Sequence, residues 1–459
     1  MMARPELRLL AALALAFSAG CALADGPVAA PVDAQLVAKG AYLARAGDCI
    51  ACNSATPDKP FAGGLPLVTP IGAVYSTNIT PDKIAGIGEW SYEDFAKLMR
   101  TGVTKAGYTV YPAMPYPSFS RLGEDDLQAL YAYFMHGVQP DPTPNKKADI
   151  PWPLSMRFPL ALWRMVFAPA PAPMSVPQSP QPNLLRGAYL VQGLGHCGAC
   201  HTARGVAFQE KALNDTGNSI YLAGGGAVDG WVPPSLRNSH GGGLARWSER
   251  DIVDFLKTGR SQRSASFGGM NDVVAHSTQH LSDADLTSIA LYLKSLPTGT
   301  PTPAPYVADP RVAQELHSGV VNSRGAQIYL DRCAGCHRSN GEGAARTFPA
   351  LAGNALLQTA DASSSIKIVL SGSAMPATQT APSALTMAPY AGLLSDADIA
   401  EVVSFIQTSW GNQGGVATPG QVAALRKSSP PVKTPTVATF APGRPDTLAP
   451  NPPVSSSAP

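Results

Sequence analysis

Three Cys-x-x-Cys pairs punctuate this chain, and two of them run straight into histidine: Cys197-Gly198-Ala199-Cys200-His201 and Cys333-Ala334-Gly335-Cys336-His337. Two thiols one helical turn apart with His next in line form the attachment signature of c-type haem. The thiols add to the vinyl groups, and the His is placed beneath the ring to ligate iron. The first pair departs from the pattern. It reads Cys49-Ile50-Ala51-Cys52-Asn53, with Asn at the position of the proximal His. The competing readings of a Cys-x-x-Cys pair are zinc, a disulfide or thiol redox chemistry. Two complete Cys-x-x-Cys-His copies in one chain weigh strongly against them.

At 459 residues the chain has room for about three domains. Its 43 Gly and 44 Pro suit small helical units joined by ordered loops, and a net charge of +2 gives no case for nucleic-acid binding. Haem of this type is attached on the oxidising, outer side of a bacterial membrane, so an export signal is expected. Arg4 and Arg8 flank the start of an apolar run from Leu9 to Ala24, which is short for a membrane span. Ala22-Leu23-Ala24 fits a cleavage site, giving a signal peptide over residues 1–24. Cys21 follows Ser18-Ala19-Gly20, a poor lipoprotein signal, so cleavage after Ala24 is favoured over lipidation of Cys21. No later stretch has 18 uninterrupted apolar residues, and the mature chain is not expected to cross a membrane by itself.

Internal repeats divide the remainder. Lys39-Gly40-Ala41-Tyr42-Leu43, Arg186-Gly187-Ala188-Tyr189-Leu190 and Arg324-Gly325-Ala326-Gln327-Ile328-Tyr329-Leu330 each precede a cysteine pair with apolar residues at helical spacing. They predict helices whose C-terminal ends carry the haem. Trp90-Ser91-Tyr92-Glu93-Asp94 runs to Thr101-Gly102, and Trp247-Ser248-Glu249-Arg250-Asp251 runs to Thr258-Gly259. Both read as capping-box starts and glycine stops. A closing helix follows Leu122-Gly123-Glu124-Asp125-Asp126, Leu281-Ser282-Asp283-Ala284-Asp285 and Leu394-Ser395-Asp396-Ala397-Asp398, with acids in the first turn where the helix dipole favours them. The expected fold is mainly α: three tandem domains of the class I cytochrome c type joined by Pro-rich linkers. The expected boundaries are 25–150, 182–297 and 319–415, with linkers at 151–181 and 298–318 and a loose Pro/Ser-rich tail at 416–459.

A c-type electron carrier wants a second axial ligand, commonly a thioether, and Met/His ligation raises the potential. Met114 lies in Tyr111-Pro112-Ala113-Met114-Pro115-Tyr116-Pro117, and Met270 in Phe267-Gly268-Gly269-Met270. Met375 and Met387 compete in the third unit, and Met387 is favoured because it precedes Leu394 much as Met114 precedes Leu122. A single Met is ordinarily core filler, but these recur at one place in a repeat, each expected in a Pro/Gly loop. Asn53 leaves several readings open: a haem held by Cys49 and Cys52 with Met114 alone or with a weak fifth ligand, which is preferred; an empty first site; or an artefact of the sequence. The only other His in that unit is His136.

The chain resembles the triple-haem cytochrome c subunits of bacterial membrane-bound, quinone-reducing alcohol, aldehyde or sugar dehydrogenases, most of all those of alcohol dehydrogenases. The strings that carry the likeness, between about Leu36 and Asn412, include Tyr75-Ser76-Thr77-Asn78-Ile79-Thr80-Pro81-Asp82, Pro153-Leu154-Ser155-Met156-Arg157 and Trp410-Gly411-Asn412. The resemblance implies a relay. A large catalytic subunit using pyrroloquinoline quinone, flavin or a molybdenum centre oxidises substrate, and the cytochrome subunit, which is not itself catalytic, passes electrons to ubiquinone and anchors the complex, sometimes with a small third subunit, to the periplasmic face of the inner membrane. It implies covalent haem at Cys49/Cys52, Cys197/Cys200 and Cys333/Cys336, three in all or two if the first site is empty. The axial pairs it implies are His201 with Met270 and His337 with Met387, with Met114 at the first site. Residues 151–167, with Trp and Phe, two Arg and no acid, are the best candidate for membrane contact, against the alternative that they pack between units. Competing functions are a free periplasmic shuttle, a dihaem peroxidase or haem reductase, and a terminal-oxidase subunit.

Overall fold

The computed structural model describes residues 33–174, 181–298 and 304–428. The expected signal peptide, Cys21 and the end of the expected tail lie outside them. The first stretch contains α1 (Ala34–Ala46), α2 (Cys49–Asn53), the hairpin β1 (Pro66–Thr69) and β2 (Gly72–Tyr75), α3 (Tyr92–Thr101), α4 (Tyr116–Phe119) and α5 (Glu124–His136), followed by α6 (Phe158–Phe167). The second has α7 (Pro182–Tyr189), a π-turn over Leu190–Leu194, α8 (Gly198–His201), α9 (Glu249–Thr258), α10 (Gly269–His276) and α11 (Asp283–Ser295). The third has α12 (Arg311–His317), α13 (Arg324–Arg332), α14 (Ala334–His337), α15 (Ser363–Ser371), the short pair β3 (Ser373–Ala374) and β4 (Thr386–Met387), α16 (Asp396–Thr408) and α17 (Pro419–Ser428). The architecture is mainly α, as expected.

One crossing is built three times, and glycine makes it. A Cβ on Gly40 of α1 would lie 1.9 Å from the Ala129 carbonyl oxygen of α5. On Gly187 of α7 it would lie 1.9 Å from the Ser288 oxygen of α11, and on Gly325 of α13 it would lie 2.4 Å from the Glu401 oxygen of α16. Only a residue without a Cβ permits backbones to approach this closely. The base just before each glycine pairs with the acid at the third position of the crossing helix: Lys39 with Asp126 at 2.7 Å, Arg186 with Asp285 at 2.8 Å and Arg324 with Asp398 at 2.8 Å.

The middle helices form for the reasons their sequence gives. Ser91 caps α3 and Ser248 caps α9, each in a reciprocal box with the acid three residues on, and Gly102 and Gly259 end them at φ 68° and 72°. A third such helix, α15, lacks the Trp-Ser start and ends at Gly372, φ 72°.

Units one and two are tied as a reciprocal pair. Tyr42 donates to Asp285 at 2.6 Å and accepts from the Ser282 N–H at 3.2 Å; Tyr189 donates to Asp126 at 2.5 Å and accepts from the Gly123 N–H at 3.4 Å. Each tyrosine thus seals the start of the other unit's closing helix, and a single apolar core runs from Leu43 to Leu296. Unit three has Gln327 where these tyrosines stand, turned onto Asp331 of its own helix, and keeps a separate core. It is joined to unit two by polar contacts, among them Ser364 accepting from the Val232 N–H at 2.8 Å and Asn271 donating to the Ala374 carbonyl at 2.8 Å.

Three local expectations are corrected. The first two cysteine pairs are set off from α1 and α7 and open short helices of their own, with Asp48 turning the chain at φ 51° before the first, whereas Cys333 caps the end of α13 as expected and also starts α14. Met270 is not in a loop: the left-handed turn is spent at Gly268, φ 54°, and the helix-compatible run after it starts α10 with Met270 in its first turn. The expected tail is ordered at its start. Val422 of α17 is fully buried, and Arg426 bonds Asp396 at 2.7 Å and the Leu394 carbonyl at 3.0 Å, clamping the start of α16.

Candidate haem sites

His201 is buried, and its Nδ1 lies 2.8 Å from the Pro234 carbonyl oxygen. His337 is buried likewise, with Nδ1 2.9 Å from the Pro349 oxygen. A carbonyl only accepts, so Nδ1 carries the proton in both rings and Nε2 presents its lone pair. Burial pushes both imidazoles below their ordinary range, against the raising effect of those carbonyls, and keeps them neutral. Such an orienting hydrogen bond on the far nitrogen is the usual support of a metal-bound imidazole. Burial pushes the Cys197 and Cys333 thiols up to about 12, which makes them poor thiolates for disulfide exchange.

Around the second pair the structure opens an apolar cavity whose lining brings Cys197, Cys200, His201 and Met270 together with Trp247 and Phe255. The residues fit a haem: two thiols, a neutral imidazole of fixed tautomer, a thioether and an apolar wall for the ring. The wall is shared between units. Ala46 and Asp48 of unit one and Asn354, Ala355 and Leu356 of unit three also line it, so the second site lies at the junction of all three. In unit three Met387 ends β4 and Met375 follows directly on β3, donating its N–H to the Leu385 carbonyl at 2.9 Å; Met375 is buried and Met387 packs at the edge of the core.

The first site repeats the scaffold without the ligand. The Asn53 amide donates to the Thr77 carbonyl at 2.8 Å, in the role that His201 and His337 give to Nδ1. One backbone contact recurs in all three: the carbonyls of Asn53, His201 and His337 accept from the N–H groups of Gly63, Gly224 and Gly343 at 2.7, 2.9 and 3.0 Å. Met114 packs against the joint core, and His136 is exposed on the last turn of α5.

A cytochrome c family model matches residues 323–410. The chain is 52% identical over 92% of its length, and 90% of the relative's, to the cytochrome c subunit of a quinone-dependent alcohol dehydrogenase from Gluconacetobacter polyoxogenes. It is also 52% identical to the cytochrome c subunit of gluconate 2-dehydrogenase from Pantoea cypripedii, over 85% of this chain and 90% of that one. The chain belongs to the family of dehydrogenase cytochrome c subunits. A fructose dehydrogenase cytochrome subunit from Gluconobacter japonicus is a more distant member, 32% identical over 87% of this chain and 84% of that one.

The strings that carried the family likeness serve the fold. Asn78 donates to the carbonyls of Asp141 and Thr143, Asn412 to those of Leu351 and Ile406, and Trp410 to that of Ser339. The Thr77, Pro234 and Pro349 carbonyls were not foreseen. They follow their partners by 24, 33 and 12 residues, a spacing with no period to read.

Residues 151–167 divide by face. Trp163 is the inward anchor, donating to the Ala207 carbonyl of unit two at 2.8 Å and meeting the Tyr116 ring of unit one at 6.3 Å. Phe158 (72%) and Met165 (73%) lie largely in solvent with Leu162 and Val166, a stripe at helical spacing on the outer face. Arg157 stacks over Tyr111 at 4.4 Å. No described helix is long and apolar enough to cross a membrane.

Proposed function

We propose that this chain is the electron-transfer subunit of a periplasmic dehydrogenase complex, carrying electrons from a large catalytic subunit of the pyrroloquinoline-quinone alcohol dehydrogenase type to ubiquinone. The observation that carries it is the central cavity, where a complete His/Met donor set is walled by residues of all three units. When bound, haem supplies one-electron transfer. The protein's part is to hold it, to exclude water and to set its potential through axial ligation and burial. Cys197 and Cys200, with His201 and Met270, would hold one haem; Cys333 and Cys336, with His337 and Met387, another; and Cys49 and Cys52, with Met114, a third. Each unit is read as one cytochrome c domain. Pro234 and Pro349 keep the two imidazoles in the ligating tautomer. The shared wall brings the second site next to its neighbours, as a relay needs.

The outer stripe of α6 is the face we assign to the membrane. Phe158, Leu162, Met165 and Val166 would enter the headgroup boundary of an anionic leaflet, in a segment with two Arg and no acid. Residues 1–24 are read as the export signal. Equal identity to alcohol- and gluconate-oxidising relatives means that the partner's substrate is not written in this chain. Relay for a flavin sugar or gluconate dehydrogenase, or for a molybdenum aldehyde dehydrogenase, is the second reading. Purification in mild detergent tests both. A large co-purifying subunit with pyrroloquinoline quinone supports the first and one with flavin or molybdenum the second, whereas a chain that purifies alone contradicts both in favour of a shuttle.

A further inference from the structure

The first site keeps every device that positions a proximal ligand and lacks the ligand. Cys49 and Cys52 stand on α2, one turn apart, and Cys49 packs against the apolar core. The Asn53 carbonyl accepts from Gly63, as its two histidine counterparts accept from Gly224 and Gly343. Its side-chain amide is committed to the Thr77 carbonyl at 2.8 Å, where His201 and His337 commit Nδ1. An imidazole so held has a second nitrogen on the far side of its ring to offer iron; a carboxamide ends at its own nitrogen and oxygen. Within the described part of this unit His136 is the only histidine, and it is exposed on the last turn of α5. The Asn53 oxygen is a feeble iron ligand and Met114 supplies at most one thioether, so a metal centre here remains one strong donor short. A second histidine outside the unit comes into question: α10, which packs against α2, ends in His276, and that residue is exposed.

Resting on the relay reading, we propose that the Cys49/Cys52 site holds a haem whose Asn53 side is an open coordination position, and that this position takes up small neutral donors such as carbon monoxide, nitric oxide or imidazole. The chain would then carry two closed electron-transfer sites and one ligand-binding site. Asn53 keeps the Thr77 carbonyl satisfied without filling the position, so the scaffold stays folded around the opening.

The test uses the purified complex, its Asn53→His variant and its His276→Ala variant. Haem per polypeptide is measured, and the reduced protein is titrated with carbon monoxide and the oxidised protein with imidazole. The expected result is three haems per chain, one carbon monoxide bound per chain, a high-spin signature that imidazole converts to low spin, and loss of both responses in Asn53→His with the haem count unchanged. The His276→Ala variant should match the parent. Three low-spin haems with no carbon monoxide uptake would overturn the open position, as would a low-spin signature at this site that His276→Ala removes. Two haems per chain would overturn attachment at Cys49/Cys52. All three of these outcomes leave the relay intact. Haems that substrate fails to reduce would instead overturn the relay reading.

Discussion

Asn53 gives its amide to the Thr77 carbonyl at 2.8 Å, and His201 gives Nδ1–H to the Pro234 carbonyl at the same distance. Around these two contacts the sites share a cysteine pair on a short helix, a glycine N–H on the carbonyl of the last residue, and a glycine-made crossing behind. The difference is what lies beyond the hydrogen bond: a ring with a second nitrogen in one case, only the amide's own weakly donating oxygen in the other. In this fold, then, the support that orients a ligand is separable from the ligand. A chain can lose the donor and still satisfy the carbonyl that held it, at little cost in folding.

Making the second site resemble the first should have the largest effect. His201→Asn is expected to keep the fold, convert one low-spin haem to a form that binds carbon monoxide, raise uptake from one to two per chain, and cut substrate-driven quinone reduction by roughly 10–100-fold or more. Gas titration and turnover on the same preparation check this. Next comes the shared crossing. Gly187→Ala and Gly325→Ala drive a Cβ to 1.9 and 2.4 Å from a carbonyl oxygen. Each should cost about 1–3 kcal/mol or more. Thermal denaturation should resolve the first as a loss in the joint core of units one and two, and the second as a loss confined to unit three.

Asp48, one residue ahead of the altered site, sharpens the comparison by pH. Burial in the shared wall, with Asp272 adding and Arg45 opposing, pushes its carboxyl up to about 8, and its Oδ1 has no hydrogen-bond partner. The folded state therefore holds a proton that the unfolded chain releases near pH 4. This group's contribution is fully present below about pH 4 and falls as pH rises toward 8. Asp48→Asn, which suits the left-handed backbone there, should remove that slope and stabilise the protein at pH 8 by about 1–3 kcal/mol. Denaturant midpoints measured from pH 5 to 9 would refute this if the slope persisted. The smallest effect tests the pairing of units. Tyr42→Phe and Tyr189→Phe should each cost about 1 kcal/mol, with Gln327→Tyr close to neutral.

The sequence made the mainly-α fold legible because its signals are local. Ser91 with Asp94, Ser248 with Asp251 and the glycines that end α3 and α9 settle helix ends within a dozen residues. The three glycine-tyrosine segments announced repeated helices, although nothing in them revealed that Gly40, Gly187 and Gly325 each touch a carbonyl more than 70 residues away. Thiols and histidines were equally legible. What supports them was not, because a backbone carbonyl has no letter and Thr77, Pro234 and Pro349 follow at irregular intervals. The reciprocal tyrosine clasp stayed hidden for the same reason: Tyr42 and Asp285 are adjacent only once two units meet. The start of the tail was misread because a Pro-rich composition outweighed the short amphipathic run that buries Val422.

The relay itself is tested most directly by rapid mixing of the purified complex with its substrate, following the c-type haem absorbance. The account predicts that the haems are reduced at least as fast as turnover and are reoxidised when ubiquinone is added. Full-rate quinone reduction with haems that stay oxidised throughout would contradict it.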